Sequence, residues 1–188
     1  ACTGTNGSLT GNTLTITQST GTAIVCTYTN TKLPKITLTK ISNGGVGAFS
    51  FTGNNGFTNQ TITTVTAGTG VTGAVQTLAA ALTATTITET IPAGYIVTAI
   101  NCTGLGSGTQ TTDLAAGSVV LNAAATAAGS NIDCTFTNAK KPLLRVSKIV
   151  SSILDTDDRF MTEIRAVSVT DPVLSTTTNN ATTGDGVL

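Results

Sequence analysis

Three side chains in the middle of this chain carry chemistry that their surroundings do not require. Lys40 sits in Leu38-Thr39-Lys40-Ile41, on the apolar-facing side of an alternating run. Glu89 sits in Ile87-Thr88-Glu89-Thr90-Ile91-Pro92-Ala93-Gly94-Tyr95, and Asn138 ends Phe136-Thr137-Asn138. Charged residues make up only 10% of the sequence, so a Lys and a Glu inside strand-like runs need a reason. Burial disfavours charge. A buried lysine is therefore driven toward the neutral amine, which is a nucleophile, and a buried carboxyl toward the protonated acid, which donates a hydrogen bond to an amide. The simpler alternative is a Lys40–Glu89 ion pair with Asn138 capping a turn.

The cysteines form a second set. Ile24-Val25-Cys26-Thr27-Tyr28-Thr29-Asn30-Thr31-Lys32-Leu33-Pro34 returns as Ile132-Asp133-Cys134-Thr135-Phe136-Thr137-Asn138-Ala139-Lys140-Lys141-Pro142, and Cys2-Thr3-Gly4 returns as Cys102-Thr103-Gly104. Cysteines at equivalent positions of a repeat argue for two disulfides, Cys2 with Cys26 and Cys102 with Cys134, and for an oxidising compartment. The alternative is buried free thiols. With no CxxC and no Cys/His cluster, no zinc site and no cofactor is expected.

The elements that position these residues are strands. Thr and Val favour strands, Gly and Asn favour turns, and Glu, Gln, Lys and Arg are scarce. The sequence is 39% apolar, and the apolar residues fall in alternating runs, which argues for packed sheets rather than disorder. Strands are expected at Lys35–Ile41, Gly47–Thr52, Gln60–Ala67, Gly73–Ala81, Thr85–Thr90, Tyr95–Cys102, Ser118–Ala123 and Ile132–Asn138. Turns fall at Ser42-Asn43-Gly44-Gly45, Gly53-Asn54-Asn55-Gly56 and Pro92-Ala93-Gly94. Ala123–Ala128 reads as a loop or one short helical turn. In the last segment Leu144–Val150 and Phe160–Val169 read as strands and Ser175–Gly186 as a polar loop.

The repeat sets the organisation. Cys26/Cys134, Asn30/Asn138, Pro34/Pro142 and Lys40/Lys148 keep one constant offset. That period is longer than a solenoid repeat, so each unit is a small domain. Residues 34–141 make one complete unit, residues 1–33 the back of one, and residues 142–188 the front of another. The fold class is all-β: tandem immunoglobulin-like or prealbumin-like β-sandwiches, one complete and two partial. Either copies complete one another head to tail, with Lys148 and Asn30 meeting across the junction, or the chain is a piece of a longer array.

The pattern resembles the SpaA-like, prealbumin-like fold domains (Cna-B domains) of bacterial pilins and surface adhesins. Leu38-Thr39-Lys40, Glu89-Thr90-Ile91-Pro92-Ala93-Gly94-Tyr95 and Thr137-Asn138-Ala139-Lys140-Lys141-Pro142 carry the resemblance. The Glu-x-x-Pro-x-Gly-Tyr piece is the most specific part. The resemblance covers 34–141 well and both ends in part. It implies an intramolecular isopeptide bond between Lys40 and Asn138, with Glu89 as proton shuttle. An acidic residue often follows the family's Lys by two positions, and here that position is Ser42.

Function follows from these readings. The expected role is structural: a subunit of a secreted bacterial filament, pilus-like fibre or adhesin stalk, extracellular or on the cell surface. Its partners are other copies of itself, joined by strand addition at exposed edges. The competing role is a binding module for a host, a surface or ice, since Thr13-Leu14-Thr15-Ile16-Thr17 offers a Thr face, although the strict short repeats of an ice-binding solenoid are missing. An enzyme is not expected, because there is no His and no nucleophile motif. Net charge is zero, which gives nucleic acid or anionic membrane no electrostatic handle. No run reaches the length of a membrane span. Asp155, Asp157 and Asp158 read as a solvated turn rather than a calcium loop. Glu163 is a weak substitute for Glu89 in the last segment. Glycosylation sequons such as those at Asn59, Asn101 and Asn180 are of the kind a Thr-rich chain produces by chance.

Overall fold

A computed structural model describes residues 2–3, 6–17, 25–144, 147–148, 160–165, 173–179 and 186–187, with side chains over 8–17 and 25–144. The chain divides into two compact units, Ala1–Lys140 and Lys141–Leu188. Every regular element among the described residues is a strand.

The first unit opens with four short strands: β1 (Cys2–Thr3), β2 (Asn6–Thr10), β3 (Thr13–Thr17) and β4 (Val25–Cys26). β1 pairs with β4, and β2 with β3. A two-sheet sandwich follows. Its strands are β5 (Lys35–Asn43), β6 (Ala48–Gly53), β7 (Gln60–Thr63), β8 (Val71–Thr72), β9 (Gln76–Thr77), β10 (Thr85–Thr90), β11 (Tyr95–Thr103), β12 (Gln110–Asp113), β13 (Ser118–Leu121) and β14 (Asn131–Lys140). One sheet runs β12-β13-β10-β6-β7. The other runs β11-β14-β5-β8, with β9 also on β5.

Side-chain alternation decides which residues meet between the sheets. On β5 the inward set is Ile36, Leu38, Lys40 and Ser42. On β14 it is Ile132, Cys134, Phe136 and Asn138. On β10 it is Thr85, Ile87 and Glu89. Phe49, Phe51, Val119 and Leu121 fill the space between them. β5 and β14 are parallel neighbours, although they are the first and last strands of the sandwich. Their register sets Lys40 beside Phe136 and Ser42 beside Asn138. Parallel partners need a long crossover, and β6 to β13 supply it.

The expected elements differ from the observed ones in several places, and the turn expected from Ser42 starts only at Gly44, because Ser42 and Asn43 continue β5. Gln60–Ala67 is a strand only over Gln60–Thr63. Gly73–Ala81 is a strand only over Gln76–Thr77, and Gly73 itself sits where an added Cβ would lie 2.5 Å from Gln60 Oε1 and 2.9 Å from Ile62 Cδ1. β12 was not foreseen because Gln110-Thr111-Thr112-Asp113 is a polar edge with no apolar alternation. Ala123–Thr126 forms turns, in keeping with the loop alternative for that stretch.

In the second unit β15 (Ser147–Lys148) pairs with β18 (Gly186–Val187), and β16 (Phe160–Arg165) with β17 (Val173–Asn179). The segment expected as a polar loop from Ser175 therefore begins inside a strand. Its consecutive threonines favour extended backbone and pair with β16. The acidic turn at Asp155, Asp157 and Asp158 and the sequon at Asn180 lie outside the described residues.

β11 and β14 are tied by a disulfide between Cys102 and Cys134, which face each other in register with Cα atoms 4.0 Å apart. The bond spans a sequence separation of 32 residues. Loop-closure entropy then predicts that the Cys102→Ala/Cys134→Ala double variant loses about 3–4 kcal/mol. Denaturant unfolding of oxidised wild type against the variant measures this. Equal midpoints would show that the staple does not constrain the unfolded chain.

Candidate functional site

Lys40, Glu89 and Asn138 meet in the middle of the sandwich. Each is at most 1% exposed. Lys40 and Asn138 project inward from neighbouring strands of one sheet, and Glu89 projects toward them from the other. Three local features aim Glu89. β10 is flanked by β13 and β6, with Glu89 opposite Phe51. Its N–H donates to Gly117 O at 2.8 Å. Gly117 has φ +65, and an added Cβ there would lie 2.9 Å from Glu89 O, so this close approach calls for glycine. Just beyond Glu89, Tyr95 N–H donates to Pro92 O at 3.1 Å, with Gly94 at φ +80 completing the turn.

A β-bulge places Asn138. β11 changes register between Val97 and Ala99, beside the pairing of Val97 with Asn138. Thr98 and Ala99 consequently both face outward, while Val97 and Ile100 both face the core. Thr98 Oγ1 donates to Thr137 O at 3.1 Å across this step. Bulges often re-aim side chains beside functional groups.

The polar contacts converge on one carboxyl. Lys40 Nζ lies 3.1 Å from Glu89 Oε2, and Asn138 Nδ2 donates to Glu89 Oε1. Lys40 Nζ also donates to Phe136 O at 3.4 Å and lies 4.4 Å from the centre of the Phe49 ring. Phe51 and Phe136 pack edge-to-face with ring centres 5.1 Å apart, and Phe49 and Tyr95 do so at 5.3 Å. The three groups are thus enclosed by aromatic rings. Asn138 Oδ1 and Ser42 Oγ are buried without a hydrogen-bond partner.

Burial dominates the protonation of the pair. It pulls the Lys40 amine below the ordinary lysine range, against the attraction of Glu89. It pushes the Glu89 carboxyl above the ordinary range, against Lys40 and the Asn138 hydrogen bond. Both shifts favour the uncharged forms. Their stability signs are opposite. Glu89 binds its proton more tightly in the fold than in the unfolded chain, so its contribution is full below the ordinary Glu pKa and fades as pH rises through the folded value. Lys40 is the reverse, and its contribution falls as pH drops below the ordinary lysine value.

The other sequence-predicted residues are placed as follows. Cys26 is disulfide-bonded, and the backbone register sets Cys2 opposite it. Asn30 lies exposed on a segment without regular structure, not on a last strand like its counterpart Asn138. Lys148 is on β15 opposite Gly186, and Glu163 is on β16 opposite Thr176. Asn59 precedes β7, and Asn101 lies exposed on β11. Among the described residues no group of His, Cys, Asp and Glu could hold a metal ion, and no helix is long and apolar enough to cross a membrane. Sequence reasoning named Ser42 as a departure from a pattern and as the start of a turn, whereas it continues β5. Its inward place on β5, two residues beyond Lys40, was the available signal for a role at the site.

Removing the carboxyl should strand the amine. Glu89→Ala is expected to destabilise the chain by about 3–5 kcal/mol, because it leaves a buried lysine without its partner. Urea unfolding tests this, and a loss under about 1 kcal/mol would contradict the pairing.

Comparison with known proteins agrees with this geometry. A family model described as a prealbumin-like fold domain, SpaA type, matches residues 36–140, and a second of the same description matches residues 1–32. No curated protein and no solved structure matches the chain. The first match spans more than half of the sequence and contains Lys40, Glu89 and Asn138, and the chain belongs to the SpaA-like family of prealbumin-like fold domains.

Proposed function

We propose that this chain is a structural subunit of an extracellular filament or stalk, whose sandwich locks itself with an isopeptide bond between Lys40 and Asn138. The observation that carries the reading is that one buried carboxyl touches both nitrogens the reaction must exchange. Domains of this family are typically structural modules of pilins and surface adhesins, and two adjacent matches to the same fold support domains in series.

The chemistry balances through Glu89. Neutral Lys40 Nζ attacks Asn138 Cγ, forming the new C–N bond and placing negative charge on Oδ1. The attacking nitrogen becomes cationic. Glu89, protonated at the start, gives its proton to Asn138 Nδ2, and the carboxylate so formed takes the proton that the cationic Nζ gives up. The Cγ–Nδ2 bond breaks, ammonia leaves, and Oδ1 returns to a carbonyl. No oxidant, metal or outside nucleophile is needed. Closing a loop of about a hundred residues stabilises by about 5 kcal/mol, if the loop-entropy relation for disulfides carries over.

Partners in this reading are further copies of the chain, joined by strand addition. Residues 1–33 are proposed as the back part of one unit, 34–141 as a whole unit and 142–188 as the front part of a third. Lys148 and Asn30 are the counterparts of the locked pair that a junction between copies would offer. The junction itself is proposed to be non-covalent, held by strand addition.

Three outcomes test this. On reducing, denaturing gels wild type should run faster than Lys40→Met or Asn138→Ala, because a closed loop stays compact; equal mobility contradicts the bond. Bond formation after refolding should show a bell-shaped pH dependence, since the coupled Lys40–Glu89 pair is competent with one proton between its members. Its rate should fall at low pH, where the amine is protonated, and at high pH, where the carboxyl loses its proton. A rate that keeps rising with pH would remove Glu89 as shuttle. Deleting residues 1–33 should leave soluble monomers, and intact fibres from that deletion would exclude strand addition through this segment.

A further inference from the structure

Both oxygens of Glu89 face nitrogen, although Oε2 lies against Lys40 Nζ without a hydrogen bond. Its Oε2 faces Lys40 Nζ and its Oε1 accepts from Asn138 Nδ2. The carboxyl can pass protons between those two atoms, but it holds neither oxygen against Asn138 Oδ1. Yet Oδ1 is where negative charge grows when the amine attacks Cγ. An amide carbonyl attacked in an apolar core without a donor gains nothing from its surroundings. In this structure Oδ1 is buried with no hydrogen-bond partner.

A second buried polar group beside it is also unpartnered. Ser42 is 0% exposed, and its Oγ has no hydrogen-bond partner. The parallel register of β5 and β14 makes Ser42 the direct neighbour of Asn138, and both face inward from the same sheet. Buried hydroxyls are normally satisfied, and leaving one unmade costs stability. Two such orphans on register-paired residues, one able to donate and the other only to accept, call for a common explanation.

We propose that Ser42 is the oxyanion donor of the self-crosslinking reaction: its hydroxyl turns to Asn138 Oδ1 as the tetrahedral intermediate forms. This rests on the isopeptide reading above and adds a residue to it. Ser42 gives up no proton. It hydrogen-bonds the developing oxyanion, while the proton lost by Nζ and gained by Nδ2 still travels through Glu89. The hydroxyl is unpaired at rest and paired in the transition state, so its contribution falls on the rate rather than on the resting fold.

The test uses the full chain, refolded from denaturant, with ammonia loss followed by intact mass over time. Ser42→Ala is expected to crosslink about 10²-fold more slowly than wild type, in the range found when one oxyanion-hole donor is removed. Ser42→Thr, which keeps the hydroxyl, should recover most of the rate. A Glu89→Gln background, blocked in the shuttle, separates rate from stability. There, Ser42→Ala should leave the unfolding midpoint unchanged or raised, because it removes a hydroxyl that had no partner. Ser42→Ala crosslinking at the wild-type rate overturns the proposal. So does a slowed rate that Ser42→Thr does not restore and that comes with a lowered midpoint in the Glu89→Gln background, because Ser42 would then be only a packing residue. Wild type that never loses ammonia overturns the isopeptide reading itself, and the Ser42 role with it.

Discussion

The structure around the site depends on the parallel pairing of β5 with β14. That pairing brings the first and last strands of the sandwich into contact and sets their register. The register makes Lys40 a neighbour of Phe136 and Ser42 a neighbour of Asn138. Strand alternation then turns Lys40, Ser42 and Asn138 inward together. A slip of one residue would send that set of β14 to the solvent face. The disulfide from Cys102 to Cys134 holds β11 against β14 on the other side, so β14 is fixed along both of its edges.

Within that frame, burying an amine and a carboxyl together has a chemical consequence. Charge is poorly tolerated among Phe49, Phe51 and Phe136, and both groups are pushed toward their neutral forms. An ion pair kept only for stability is a weak device in such a place, because apolar residues of similar volume often do as well. In the proposed reading the combination is stored reactivity: a nucleophile, a shuttle and an amide held in one closed space. In the proposed crosslinked form, tension entering β5 near Lys35 passes through Lys40 to Asn138 and leaves β14 near Lys140. The chain between, with its disulfide, is then shielded from the load, which is what a subunit of a stalk requires.

Much of this was legible in the sequence because strand alternation is a strong signal where apolar residues carry it. Ile36-Thr37-Leu38-Thr39-Lys40 places Lys40 inside by simple counting, and Phe136-Thr137-Asn138 does the same for Asn138. The paired cysteines followed from the repeat. Where apolar side chains are absent, the signal fails: β12 is entirely polar and β17 is polar from Ser175 onward, so their pairing depends on backbone partners that a single segment does not reveal. Gly73, where a strand was expected to begin, lies outside β9, and the crowding that singles it out comes from Gln60 and Ile62 across space. The bulge at Thr98 and the orientation of the Asn138 amide are likewise set by neighbouring strands. Alternation from Lys40 could have placed Ser42 inside, but its pairing with Asn138 emerges only from the folded chain.

The central claim is covalent, and mass decides it most directly. Boiled, fully reduced native protein should weigh one ammonia less than its sequence, and proteolysis should yield a single branched peptide joining Lys40 to Asn138. A monomer at the full sequence mass, with Lys40 and Asn138 recovered on separate unmodified peptides, would contradict the account and leave the disulfides and packing to hold the fold.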